Sequence, residues 1–255
     1  MLDENILYCK VVLLGETSVG KTSIISRYIS NTFELNNLST SGASYANKII
    51  NLPNSKKIKF EIWDTAGQEK YRALTKIFYK KASVAILVYD ITKKESFIEI
   101  QNYWYNQVKN TTSEEIIIAI AANKSDLYEN EEVNEEEARK FAHEIGAIFF
   151  VTSALNSSGI DQLFIAIGCK FVDKNYNYED DEYLNNYNKD KDDNNNDGNI
   201  NNDNGDWVNY EENNNDKNEN KNENKKENNN NNDNDKNFKL DKKKNVGKKK
   251  ERKMC

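Results

Sequence analysis

The chain reads as an α/β domain built on a six-stranded, mostly parallel sheet with one antiparallel strand and helices on both faces. Two observations carry that reading. Short apolar runs rich in β-branched residues alternate with segments of helical period over the first 173 residues. Polar, glycine-containing motifs follow several of the predicted strands directly, as expected where parallel strands end at one rim of a sheet.

The first strand is predicted over residues 8–14 and the first helix over 21–30, with a glycine-containing loop between them. Strands at 48–52 and 58–63 are separated only by Pro53-Asn54-Ser55-Lys56-Lys57. That insert is too short for a helical crossover, so this pair is antiparallel. A helix at 69–80, a strand at 83–89, a helix at 94–109 and a strand at 116–122 follow. A helix at 134–145, a strand at 147–151 and a helix at 159–172 complete the domain. The strands from 83 onward are largely apolar runs, as befits strands covered on both faces.

Composition divides the 255 residues into three parts. Residues 1–173 hold the folded domain. Residues 174–237 form an Asn-rich linker: Asn175 to Asn237 includes 27 asparagines in 63 residues and few aliphatic side chains. Such a stretch buries too little apolar surface to offset its ordering entropy, so disorder is expected. Within it, Trp207-Val208-Asn209-Tyr210 stands out as a stray apolar patch or short docking motif. Residues 238–255 form a basic tail, in which eight Lys or Arg and one Glu lie between Lys242 and Lys253 and Cys255 is last.

The net charge of −6 argues against bulk nucleic-acid binding. Cys9, Cys169 and Cys255 form no framework of paired spacings, which points to a reducing compartment. No basic region precedes an apolar run at the N-terminus, and no apolar stretch approaches ~18 residues. The expectation is a soluble, cytosolic protein unless lipid is attached. Leu2 stands where myristoylation needs glycine.

Gly15-Glu16-Thr17-Ser18-Val19-Gly20-Lys21-Thr22 fits G-x-x-x-x-G-K-[ST] between a strand and a helix. Glycines let the backbone wrap phosphate oxygens, and amide N–H groups with the helix N-terminus face their charge. Lys21 suits the β- and γ-phosphates, and the Thr22 hydroxyl suits Mg2+. Ser23 follows in the same turn. Asp64-Thr65-Ala66-Gly67-Gln68 then ends a strand. Asp64 suits support of Mg2+ through water, the Gly67 amide a γ-phosphate oxygen, and Gln68 the orientation of an attacking water. Lys21, Gly67 and Gln68 are thus the candidate catalytic groups.

Asn123-Lys124-Ser125-Asp126 follows the strand at 116–122. A carboxylate at Asp126 accepts hydrogen bonds from the ring N–H and 2-amino group of guanine, donors that adenine lacks at those positions. Lys124 packs its stem along the base, and Asn123 ties this loop to the phosphate loop. Ser153-Ala154-Leu155 offers a backbone N–H to the guanine carbonyl. Four loops in this order form one site for a guanine nucleotide, GTP or GDP, with Mg2+.

These motifs resemble those of Ras-superfamily small GTPases, with their P-loop fold. Further stretches resemble the Rab family of membrane-traffic GTPases: Lys59-Phe60-Glu61-Ile62-Trp63, Lys70-Tyr71-Arg72-Ala73-Leu74, Phe78-Tyr79-Lys80-Lys81-Ala82 and Leu87-Val88-Tyr89-Asp90-Ile91-Thr92. The phosphate loop and Ser39-Thr40-Ser41-Gly42-Ala43-Ser44-Tyr45 are most similar to the early-endosomal branch. The resemblance covers about residues 5–172.

It implies that Thr40 ligands Mg2+ when the γ-phosphate is present, and that Phe33 lies against the guanine. It implies too that Tyr45, Trp63 and Phe78 present the nucleotide state to effectors. Three positions depart from the pattern: Ser41 replaces an aliphatic residue, Thr17 replaces Gly or Ser, and Leu155 replaces Lys.

Rabs usually end in two closely spaced cysteines, both geranylgeranylated; here Cys255 stands alone and forms no C-a-a-X box. One prenyl chain assisted by the basic cluster is the expectation. The resemblance further implies a monomeric, slowly hydrolysing switch at the cytoplasmic face of endomembranes, endosomal by its branch. Its partners would be effectors, an exchange factor, a GTPase-activating protein and a prenylation escort or GDI-type chaperone. A nucleotide-locked scaffold with negligible hydrolysis is the alternative, against which Gln68 speaks. ATP chemistry on the same phosphate loop is a third reading, against which Asp126 speaks.

Overall fold

The computed structural model describes residues 6–35, 40, 42–67, 77, 78, 80–111, 116–193 and 206–210. Among these residues seven strands form one sheet: β1 (Ile6–Leu14), β2 (Ala43–Asn51), β3 (Lys57–Thr65), β4 (Val84–Asp90), β5 (Ile117–Asn123), β6 (Ile148–Thr152) and β7 (Asp206–Tyr210). Their order is β6-β5-β4-β1-β3-β2-β7. β1, β3, β4, β5 and β6 run parallel, and β2 is antiparallel to β3. The turn between β2 and β3 closes through Leu52 N–H to Lys56 O (2.8 Å) and Ser55 N–H to Leu52 O (2.9 Å).

Helices cover both faces. On one, α1 (Lys21–Ser30) and α5 (Ile160–Val172) enclose Val11, Leu13, Ile24, Tyr28, Phe60, Val88 and Phe164. On the other lie α2 (Lys94–Glu99), a π-helical turn at Ile100–Trp104, α3 (Tyr105–Thr111) and α4 (Glu135–Glu144). They pack Phe97, Trp104 and Ala138 against Leu14, Leu87, Tyr89 and Phe149 of the sheet. Cys9 and Cys169 are buried, unpaired thiols within the first of these layers. α4 starts on Asn134, whose side chain accepts from Glu137 N–H at 3.1 Å.

The six expected strands and their antiparallel pair are all present, with two differences and one expected helix that falls mostly outside the described residues. β2 begins at Ala43 rather than 48, because its ladder with β3 continues to Ala43 opposite Thr65 through small and polar residues that carry little strand signal. Most of the helix expected at 69–80 lies outside the described residues.

Second, ordered structure does not stop at 173. Tyr178–Asp180 forms a single 3-10 turn, and α6 (Glu182–Asp193) and β7 follow inside the span expected to be linker. Aliphatic scarcity misled here, since tyrosines supply the apolar area. Tyr176, Tyr178 and Tyr187 pack on the core beside buried Leu184, and Tyr178 OH accepts from Phe149 N–H at 3.2 Å. β7 adds a strand beyond the six.

Candidate functional site

The carboxyl ends of β1, β3, β4 and β5 release loops at one rim, where a cleft of about 450 Å³ opens. Thr17, Ser18, Gly20, Lys21, Thr22 and Ser23 line one side. Asn123, Lys124, Asp126, Ala154, Leu155 and Phe33 line another, and Thr40, Thr65 and Gly67 a third. Of the predicted residues described, Gly15, Val19, Asp64 and Ser153 stand behind this wall rather than in it. Gln68, Ser41 and Cys255 lie outside the described residues, as does the basic tail.

The loop after β1 folds as it does because no side chain fits at its bends. Gly15 has φ +146°, and a Cβ there would sit 2.2 Å from Val88 O. A Cβ on Gly67 would sit 2.5 Å from Glu16 and Thr17 backbone, so the chain after β3 lies directly on this loop. Lys21, buried at the start of α1, donates to Gly15 O (2.9 Å) and Glu16 O (2.8 Å). Burial lowers its pKa to about 8, with Asp64 and Glu16 opposing the shift. Glu16 in turn accepts from Trp104 Nε1 at 3.2 Å.

Thr22, Thr40 and Asp64 converge although 18 and 24 positions separate them in sequence. The Thr22 hydroxyl donates to Asp64 Oδ2 at 2.6 Å, and Thr22 and Thr40 hydroxyls are 2.8 Å apart. Asp64 is buried, which raises its pKa, while Thr22, Lys21 and Thr40 pull it down. Its Oδ1 has no hydrogen-bond partner among the described residues. A buried, under-satisfied carboxylate beside two hydroxyls is an all-oxygen donor set that fits a small hard cation such as Mg2+.

Asn123 at the end of β5 fastens the second side of the cleft. Its Nδ2 donates to Val19 O at 2.8 Å, and its Oδ1 accepts from Thr152 Oγ1 at 3.3 Å. Lys124 takes φ +68° and pairs with fully buried Asp90 at 2.6 Å. The Ser153 hydroxyl donates to Asp126 Oδ1 and accepts from Leu155 N–H (3.2 Å) and Asn156 N–H (3.3 Å). Asp126, which lines the cleft, is thereby fixed through Oδ1.

Two of these supports escape a motif search. Asp90 orients Lys124 and also accepts from Thr92 N–H and Oγ1. Arg27 on α1 donates through Nε to Ala154 O (2.8 Å) and through Nη2 to Leu155 O (3.0 Å). Its Nη1 reaches Asn31 O and Oδ1, each at 2.9 Å. One guanidinium therefore clamps the 153–155 loop to the end of α1, just before Phe33. No sequence signal marks Arg27 for this role, since on α1 it stands beside Ser23 and Ser30, off the buried face of Ile24, Ile25, Tyr28 and Ile29.

Away from the cleft, Tyr45, Trp63 and Phe78 form one aromatic row. Ring centroids are 5.3 Å apart for both Tyr45–Trp63 and Trp63–Phe78, and all three side chains are partly exposed.

The Ras family profile matches residues 10–173. The chain is 46% identical over 158 residues to Ras-related protein Rab-22A of Homo sapiens, covering 62% of this chain and 80% of the relative. It is 42% identical over 168 residues to Ras-related protein RabJ of Dictyostelium discoideum, covering 66% and 65%. Against Ras-related protein Rab-21 of Bos taurus identity is 42% over 161 residues, covering 63% and 71%. With a glycine loop, a Thr–Thr–Asp oxygen cluster and a carboxylate-bearing loop gathered at one rim of its sheet and the family profile covering residues 10–173, the chain belongs to the Ras family of small GTPases, enzymes that hydrolyse GTP.

Proposed function

We propose that the chain is a Rab-type switch of vesicle and endosomal membrane traffic, binding GTP or GDP with Mg2+ in the cleft between the 15–22 and 123–126 loops. The gathering of Asp126, Lys21, Thr22 and Thr40 on one cleft, with Asp64 bonded to Thr22 behind its wall, carries this reading. The names of the Rab-22A and Rab-21 relatives support the trafficking role.

Asp126 accepts from the guanine edge, Ala154 N–H donates to its carbonyl, and Lys124 and Phe33 flank the ring. Backbone amides of residues 15–22 and the Lys21 ammonium hold the phosphates. Thr22, Thr40 and Asp64, the last through water, would hold Mg2+, which when bound neutralises phosphate charge. Gln68 orients the attacking water while the Gly67 amide meets the γ-phosphate. Catalysis is positioning plus charge stabilisation. The γ-phosphate would hold Thr40 and Gly67 on itself until hydrolysis releases them, so the segments that carry them and the Tyr45–Trp63–Phe78 face report the bound nucleotide. An activating protein speeds the slow intrinsic turnover by ~10³–10⁵-fold. Cys255, prenylated and aided by the basic tail, holds the protein on the membrane. Effectors, an exchange factor and a GDI-type escort complete the cycle.

Competition between GTP and ATP for the purified full chain tests the base loop. Asp126→Ala is expected to lose ~10³-fold or more of its guanine preference, since the site discriminates by hydrogen bonds. Retained preference in Asp126→Ala would move the base elsewhere.

A further inference from the structure

The outer edge of β2 is covered by the chain's own tail. β7 pairs antiparallel along it, from Ala43 opposite Tyr210 to Asn47 opposite Asp206. No other strand lies on this edge among the described residues. A strand edge left open presents unpaired N–H and C=O groups and is a template for any extended peptide.

Two further facts single this segment out. Trp207, Val208 and Tyr210 are three of the four apolar residues between 194 and 237, the fourth being Ile200, so the Asn-rich span contains one strand-competent stretch. It docks where β2 leaves Thr40, and its register sets Val208 opposite Tyr45, the first member of the aromatic row.

We propose that Asp206–Tyr210 is a resident cap on the β2 edge, which must leave before a partner can add an extended strand there. The covered stretch includes Ser44, paired on its other side with Asp64, so one ladder joins the tail to both cation-side segments. The capped state is closed to strand-adding partners and to self-association through this edge. The uncapped state is open to both. The consequence for effectors rests on the reading of Tyr45, Trp63 and Phe78 as an effector face; the capping itself does not.

The test uses the full chain, Val208→Pro and, as a control, Asn229→Pro. Proline at 208 locks φ at about −65° in the middle of this five-residue strand, away from the roughly −140° of an antiparallel ladder, so it disrupts the pairing whichever way its N–H faced. Hydrogen exchange of the outward-facing amides of residues 43–47 is expected to be at least tenfold faster in Val208→Pro and unchanged in Asn229→Pro. A fluorescent peptide of residues 201–215 is expected to bind Val208→Pro at least tenfold more tightly than it binds the unmodified chain. GDP affinity serves as the folding control and stays constant. Equal exchange in Val208→Pro and the unmodified chain overturns the proposal, as does equal peptide binding. Neither readout involves an effector, so failure of the effector reading leaves both results standing.

Discussion

Arg27 is the residue whose loss separates positioning from contact. It touches the base loop only through the carbonyls of Ala154 and Leu155, and it ties that loop to Asn31. In Arg27→Gln the stem survives but the fork does not, so both carbonyl contacts go. Hydrogen bonds from a charged donor contribute ~1.5–3 kcal/mol each when buried, and less where water can replace them. These two are part-buried and exposed respectively, so ~1–2 kcal/mol together is the expected cost. That converts to roughly 5–30-fold weaker guanine nucleotide binding, expressed mainly as faster release.

Release of a fluorescent GDP analogue from the full chain measures it. A second readout isolates the mechanism. The diphosphate of 6-thioguanosine keeps the ring N–H and 2-amino donors proposed for Asp126 but offers a weaker thiocarbonyl acceptor to Ala154 N–H, so the preference for GDP over it should narrow in Arg27→Gln. Release within twofold of the unmodified protein, with that preference intact, would refute the clamp.

Two further outcomes follow from burial. Phosphate favours the charged form of Lys21, whose pKa in the unliganded protein is lowered to about 8. Binding therefore takes up a proton above that pH, and GDP affinity should be flat below about pH 7.5 and fall toward tenfold per pH unit above about 8.5; titration of affinity between pH 6.5 and 9 checks this, and a flat profile contradicts it. A chain ending at residue 173 loses Tyr176, Tyr178, Leu184 and Tyr187 from the core layer. Relative to one ending at 193 it should be roughly 3 kcal/mol less stable, melting about 6–12 °C lower, as thermal unfolding would show.

What the sequence made legible is what is local. Gly15 to Thr22, Asp64 to Gly67 and Asn123 to Asp126 are contiguous motifs, and members of all three line the one cleft. Apolar periodicity likewise marked β1, β4, β5, β6 and the helices that flank them. Support across the fold was not legible. Arg27 acts on a carbonyl 127 positions away, and Asp90 orients Lys124 from the neighbouring strand. Arg27 lies in no motif, and Asp90 lies in the 87–92 stretch that resembles Rab sequence without that stretch assigning it this role. The start of β2 was hidden because Ala43, Ser44 and Ala46 have weak strand preference and are held by their ladder to β3. The extension past 173 was hidden because tyrosines spaced among asparagines bury area that an aliphatic count misses.

The central claim is that one cleft at the sheet rim takes a guanine nucleotide. Equilibrium binding of GDP, GTP and ATP to the folded full chain in Mg2+ tests it most directly. Tight binding of both guanine nucleotides, with ATP weaker by ~10³-fold or more, is the predicted result. A folded, magnesium-replete chain with no affinity for either guanine nucleotide would contradict it.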